Sequence, residues 1–235
     1  MNLHRFAEAL VIPAAIISVI SGLVSIHKDA PWFIYVSCFA LSIFFFLVFF
    51  KKGLLIKNNF ERMWEIEHID LISDDGKLAI YRNDVILKAL KHNVQKFKII
   101  LHAEGSISDV TVHNGIIEKI EKQMDGYHIM TLLSAPAKKG DEVKFSIEGR
   151  IHDSFLMASE YWQTTSFSIA KKGKIIISFP NGRVFKEFKA FTINGFQKKL
   201  SSIQPHVEIV REKPSICFDI ERSELFESYR IEWTW

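Results

Sequence analysis

Only two of the 235 residues are cysteine, Cys38 and Cys217. The first lies in a long apolar run and the second in a strand-like run, "SICFDI", environments too unlike to share a disulfide. A disulfide framework is therefore excluded, which fits a reducing compartment. The strongest catalytic signatures are missing as well: no nucleophile elbow, no phosphate-binding glycine loop, no zinc-type cysteine pair and no H-E-x-x-H. The nine histidines are scattered, and none pairs with another at metal-ligand spacing. His68, His102, His113 and His128 lie in strand or turn runs, where an imidazole is more often a surface or satisfied core group than a ligand. The expectation is a non-enzyme without catalytic residues, metal or cofactor.

A large charge of one sign is also lacking. The chain has 30 Lys and Arg against 27 Asp and Glu. Setting aside Arg5, Lys28, Lys51 and Lys52, with Glu8 and Asp29, leaves 30 − 4 = 26 against 27 − 2 = 25. That balance excludes a grip on long nucleic acid, which needs several phosphate-neutralising cations on one face. It leaves room for a small anionic ligand held by two or three basic groups.

What is abundant is apolar sequence near the start. Residues 33–50, "FIYVSCFALSIFFFLVFF", carry no charge and end on Lys51 and Lys52. Eighteen residues at about 1.5 Å each make about 27 Å of helix, near the roughly 30 Å of bilayer hydrocarbon. Seven phenylalanines fall on every side of that helix, leaving no polar face. A second run, residues 6–26, holds Pro13 inside it and is separated from the first only by "HKDAPW", unlike a cleaved secretory signal. These segments predict a two-helix transmembrane hairpin within residues 1–56. Arg5 before the spans and the lysines after them place both termini of a multi-pass membrane protein in the cytoplasm. Ala14, Ser18 and Gly22 form a strip of small residues on which another helix packs, within the hairpin or between protomers.

From Met63 the period changes to two. "WEIEHIDLI" alternates, "SDDG" turns the chain, and "KLAIYR" returns it, as hairpins do. Glu65, Glu67 and Asp70 read as the solvated face of that strand. About a dozen further strand-like runs follow, separated by turns such as "HNG", "MDG", "KKG" and "PNGR". Residues 57–235 are thus predicted to form an all-β domain, an antiparallel β-sandwich in preference to a closed β-barrel. Residues 85–97, "VILKALKHNVQKF", are the best helix candidate. The run "YRIEWTW" puts Tyr229, Ile231, Trp233 and Trp235 on one face, so its indoles are expected in the core.

Candidate ligand groups come from "EGRIHDSF", "EYWQTT" and "FPNGRVFKEFK". Arg150 and Arg183 could clamp phosphate while Tyr161 and Trp162 stack on a base. The alternative makes the aromatics core residues and the arginines surface solvators.

Two apolar segments at 6–26 and 33–50, a basic flank and a strand-rich remainder from about residue 63 together resemble the two-transmembrane, β-strand-rich effectors of bacterial anti-phage signalling. Those effectors work beside nucleotide cyclases or minimal CRISPR-polymerase-like synthases. The resemblance is one of architecture and carries no ligand residue across. It implies that the β-rich part senses a cyclic oligonucleotide from a partner synthase, and that the spans form homo-oligomers which damage the lipid bilayer of the bacterial inner membrane in which the chain would lie. A membrane-tethered adaptor, whose β domain binds a protein through an edge strand, is the competing expectation.

Overall fold

The computed structural model describes residues 59–124, 126–165, 171–194, 197–221, 223 and 227–235. Among these residues, fourteen strands make up three sheets. The largest has the order β12 (His206–Val210), β13 (Lys213–Ile220), β9 (Gly173–Ser178), β1 (Phe60–Leu71), β2 (Leu78–Ala89), β7 (Glu142–His152) and β4 (Ser106–His113). A four-stranded sheet has the order β11 (Gln197–Leu200), β10 (Glu187–Asn194), β14 (Ser228–Thr234), β8 (Ser159–Thr165). A three-stranded sheet has the order β3 (Val94–Leu101), β6 (Gly126–Ala137), β5 (Gly115–Gln123). Neighbours pair antiparallel except β1 with β9, which run parallel.

The inner face of the large sheet is covered by both smaller ones. Tyr81 of β2 meets Trp162 of β8 at 5.7 Å between ring centroids, and Phe218 of β13 meets Tyr229 of β14 at 6.0 Å. Elsewhere on the same face Phe97 of β3 packs edge-on against Phe145 of β7 and Phe60 of β1. The resulting core includes fully buried Ile69, Leu71, Leu87, Ile129, Ile177 and Ile231. All the sheets are open, the large one ending on β12 and β4, so the packing is layered and the closed barrel is set aside.

Two expectations are corrected. The fold described is all-β, and among the described residues no helix is long and apolar enough to cross a membrane. The expected membrane α-helical hairpin, and with it the inner-membrane location, is corrected to this all-β description. Hydropathy measures the apolar content of a run; it does not decide which element the run forms. The segments that carried this expectation, with Ala14, Ser18, Gly22, Lys51 and Lys52, lie outside the described residues. The second correction concerns residues 85–97, which are no helix: Val85–Ala89 end β2 and Val94–Phe97 begin β3. Val85, Leu87 and Ala89 alternate inward, and β2 has a partner on both sides, so ladder bonds and burial outweigh helical propensity.

The "SDDG" turn shows how local sequence fixes the layers. Gly76 sits at φ +76, its N–H donates to Ser73 O at 3.1 Å, and its own carbonyl accepts from Phe155 N at 3.3 Å. A Cβ there would lie 1.7 Å from Phe155 O. Gly76→Ala is expected to cost about 2 kcal/mol in urea unfolding, from left-handed strain and the backbone collision. A loss within about 0.5 kcal/mol, the range of an ordinary surface substitution, would show that this turn is not locked to Phe155.

Candidate functional site

Two polar places interrupt the apolar layers. The first is interior, between β1 of the large sheet and β8 of the four-stranded one. A register shift between Arg62 and Trp64 places Arg62 on the side of Glu65 and Glu67. Arg62 Nη1 donates to both Glu65 oxygens at 2.7 Å, and Asn83 Nδ2 donates to Glu65 Oε1 at 2.9 Å. Glu67 accepts from Trp162 Nε1 at 3.0 Å and from Thr164 Oγ1 at 2.9 Å. A cavity of about 30 Å³ adjoins them, close to one water's share of liquid volume, and is also lined by Lys174 and Tyr229.

One buried cation, Arg62, here faces the buried Glu67 carboxylate and the partly buried Glu65 carboxylate. Burial and the neighbouring Glu65 push the Glu67 carboxyl up to about 7, against the hydrogen bonds from Trp162 and Thr164 and the charge of Arg62. Protonating Glu67 would leave Arg62 and Glu65 as a neutral pair, which is why desolvation wins. The solvated-face reading of Glu65 and Glu67 is therefore corrected. They share strand parity with Ile69 and Leu71, both fully buried, while Asp70 points to the other face and pairs with Lys213 at 2.6 Å. Parity with "I-D-L" was the signal available in the sequence.

The second place is an open cleft of about 360 Å³, where the β3–β4 loop and the end of β5 face β8. Because β8 is the last strand of its sheet, its free edge forms one wall. Lys122 Nζ donates to Gly105 O at 3.0 Å and lies over the Tyr127 ring, whose hydroxyl donates to the same carbonyl at 2.8 Å. Tyr161 is 41% exposed. Its hydroxyl donates to Glu104 Oε1 at 3.3 Å, and the Arg230 guanidinium lies 4.3 Å from its ring centroid. Arg230 is held in place by two bonds to Gln163 Oε1, from Nε at 2.9 Å and Nη2 at 2.7 Å. Burial pushes the Glu160 carboxyl up, although it accepts the Met157 N–H.

Of the four residues expected to bind ligand, the structure brings two to this cleft. Tyr161 presents its ring there; Trp162 lines the wall but is 3% exposed, with its indole N–H committed to Glu67. Arg150 stands on β7, exposed, 3.4 Å from Asp109. Arg183 follows β9, stacks 3.8 Å over the Trp235 ring and donates to Asp74 O and Met157 O. Neither arginine lines the cleft. Sequence reasoning missed Lys122, which lines the cleft, and Arg230, which stacks on Tyr161 beside it without lining it. Arg230 sits in register with Gln163 across the β14–β8 pair, two residues from Tyr161's own partner Glu232 and on the same face, a juxtaposition that exists only once those strands pair.

No protein-family model matches the chain, and no curated protein does. Among solved structures it is similar to a protein proposed to be a protease from Parabacteroides distasonis, at 12% identity and a TM-score of 0.48, over 75% of this chain and 40% of that one. An M1 zinc metallopeptidase from Deinococcus radiodurans is similar at 8% identity and a TM-score of 0.41, over 74% and 42%. A protein proposed to bind nutrients, from Legionella pneumophila, is similar at 8% identity and a TM-score of 0.44, over 76% and 68%. The chain thus spans about two fifths of the first two structures, and likeness of this degree fixes neither fold nor activity.

Proposed function

We propose that the β-rich unit, residues 59–235, is a sensing module that binds a cyclic nucleotide in the cleft beside β8, as the anti-phage effectors it resembles do. The observation that carries this reading is the exposed Tyr161 ring with Arg230 stacked on it, at the mouth of a cleft of about 360 Å³. Such a volume is within the range of about 300–1,000 Å³ that suits a compact ligand. An aromatic ring beside a guanidinium accepts a base by stacking. The carboxylates of Glu104 and Glu160 suit ribose hydroxyls, which donate to them. Lys122 in the cleft, with Arg230 beside it on Tyr161, supplies the positive charge that phosphates require. The nucleotide comes from a partner synthase, and copies of the chain associate in response, provided the associated state binds it more tightly.

Isothermal titration of the full chain against cyclic di- and trinucleotides tests this. Saturable binding at micromolar affinity or tighter is expected. Tyr161→Ala should weaken it about tenfold or more, the usual worth of one stacked base. Arg150→Ala and Arg183→Ala, outside the cleft, should leave it unchanged.

A second reading, a module that binds a protein partner, is favoured by β12. This strand ends the large sheet and exposes Val207 at 50% and Ile209 at 72%. An unpaired edge with apolar side chains is what strand addition uses. Flat titrations from a folded chain would favour this reading over the first.

A further inference from the structure

On the opposite face of that same edge, three chemically different ligand groups converge. β12 and β13 pair with His206 opposite Cys217 and Glu208 opposite Ser215. The two-residue alternation then puts His206, Glu208 and Cys217 on one side of the hairpin. His206 Nε2 lies 2.7 Å from Glu208 Oε1, and Cys217 Sγ lies 3.4 Å from Glu208 Oε2. All three donor atoms fall within 4.8 Å of one another. His206 and Glu208 are half exposed, whereas Cys217 is buried, so an ion could enter from solvent and rest on the sulfur.

The register that aligns them is set by a turn of only two residues, Arg211 and Glu212, at φ 51 and φ 66. Two left-handed residues are the pattern of a tight hairpin turn, which glycine or asparagine usually fills. Here an arginine and a glutamate hold it, in a backbone region that residues with a side chain rarely adopt.

We propose that His206, Glu208 and Cys217 form a site for a divalent transition metal of the zinc type. Nitrogen, oxygen and sulfur donors together select borderline-soft ions over magnesium or calcium. Tetrahedral zinc, with bonds of about 2.0–2.3 Å, needs donors about 3.3–3.8 Å apart, so the present spacings adjust by about an ångström. On ligation the thiol gives up its proton to solvent and the thiolate takes the metal. Asp219, whose Oδ2 lies 4.0 Å from His206 Nδ1, is placed to orient the imidazole from its far side. Three protein donors leave a fourth position open to water.

One group opposes the ion. Lys174 Nζ lies 3.3 Å from Glu208 Oε2 and holds the place a cation would neutralise. This supplies a test in which a variant gains binding. The reduced full chain is titrated with cobalt(II), following the thiolate-to-metal absorption band, and zinc is then added to displace it. The expected result is one equivalent bound, the band lost in Cys217→Ser, and binding weakened tenfold or more in His206→Ala. Asp219→Asn should weaken it about 10–100-fold, as outer partners of a metal-bound histidine do. Lys174→Met should tighten it about tenfold by removing a like charge. Cys38→Ser should behave as wild type. No band in the wild-type chain, a band that survives Cys217→Ser, or one abolished by Cys38→Ser overturns the proposal. Because Lys174→Met is read as a gain, a loss of folding cannot imitate it.

Discussion

Raising the pH from 5 to 8 is expected to lower the stability of the folded chain by roughly 3 kcal/mol through Glu67 alone. Its carboxyl sits at about 7 in the fold and at an ordinary 4.5 when unfolded. Between those values the folded state holds the proton and the unfolded state does not. Stability is therefore fully present below about 4.5 and falls as pH rises through 7. The whole difference, 7 − 4.5 = 2.5, is worth about 3 to 4 kcal/mol at about 1.4 for each pH unit, and roughly three quarters of it falls between pH 5 and 8. The groups facing Glu67 are Arg62, Glu65 and Tyr81 around it, with Trp162 and Thr164 donating to it from β8. Glu67→Gln isolates the effect, since a glutamine can accept from Trp162 through its oxygen while its amide donates to Thr164, whose hydroxyl turns to accept. Unfolding by urea at several pH values should show the variant gaining on wild type by roughly 3 kcal/mol between pH 5 and 8. His68, whose imidazole burial pushes down, contributes equally to both proteins and cancels. Parallel pH profiles would mean that Glu67 is charged throughout.

Arg62 and Glu65 explain why this cluster was hard to see beforehand. Acids alternating with "W-I-H" look like a wet strand face, and nothing local says that β8 will close over them. The contact from Trp162 to Glu67 joins residues 95 apart, and the hydrogen bond from Asn83 to Glu65 joins residues 18 apart. The strands themselves were legible, because period-two burial in β2 and β14 follows directly from the side-chain pattern. What period two cannot carry is which face is inner when both faces hold apolar groups, as in β1, or how many sheets the strands divide into. Residues 85–97 misled for a related reason. Lys88, Lys91 and Lys96 fit a helix surface as well as a strand edge, and only the partners on both sides of β2 decide. Arg150 and Arg183 were chosen for nearness in sequence to aromatics. β-sheet pairing disperses such neighbours and unites others, as it does Arg230 with Tyr161.

Trp233→Ala is expected to remove about 3–5 kcal/mol of stability, the range for deleting a buried tryptophan. This side chain is 1% exposed, on β14, which is bounded on both sides by β10 and β8. Its ring sits 5.9 Å from Phe155, 5.7 Å from Phe179 and 6.2 Å from Trp235. Phe155 and Phe179 both follow strands of the large sheet, so Trp233 joins the two layers and the hole left by alanine cannot be refilled from one side. Trp233→Phe separates packing from hydrogen bonding. The Trp233 N–H meets no acceptor among the described residues, so phenylalanine keeps most of the contact area and discards a buried unsatisfied donor. Its loss should stay below about 1.5 kcal/mol. Urea midpoints and slopes for the two variants decide the matter. An alanine variant within about 1 kcal/mol of wild type would show that the four-stranded sheet is not held to the large one through this residue, a loss far below that of a core cavity.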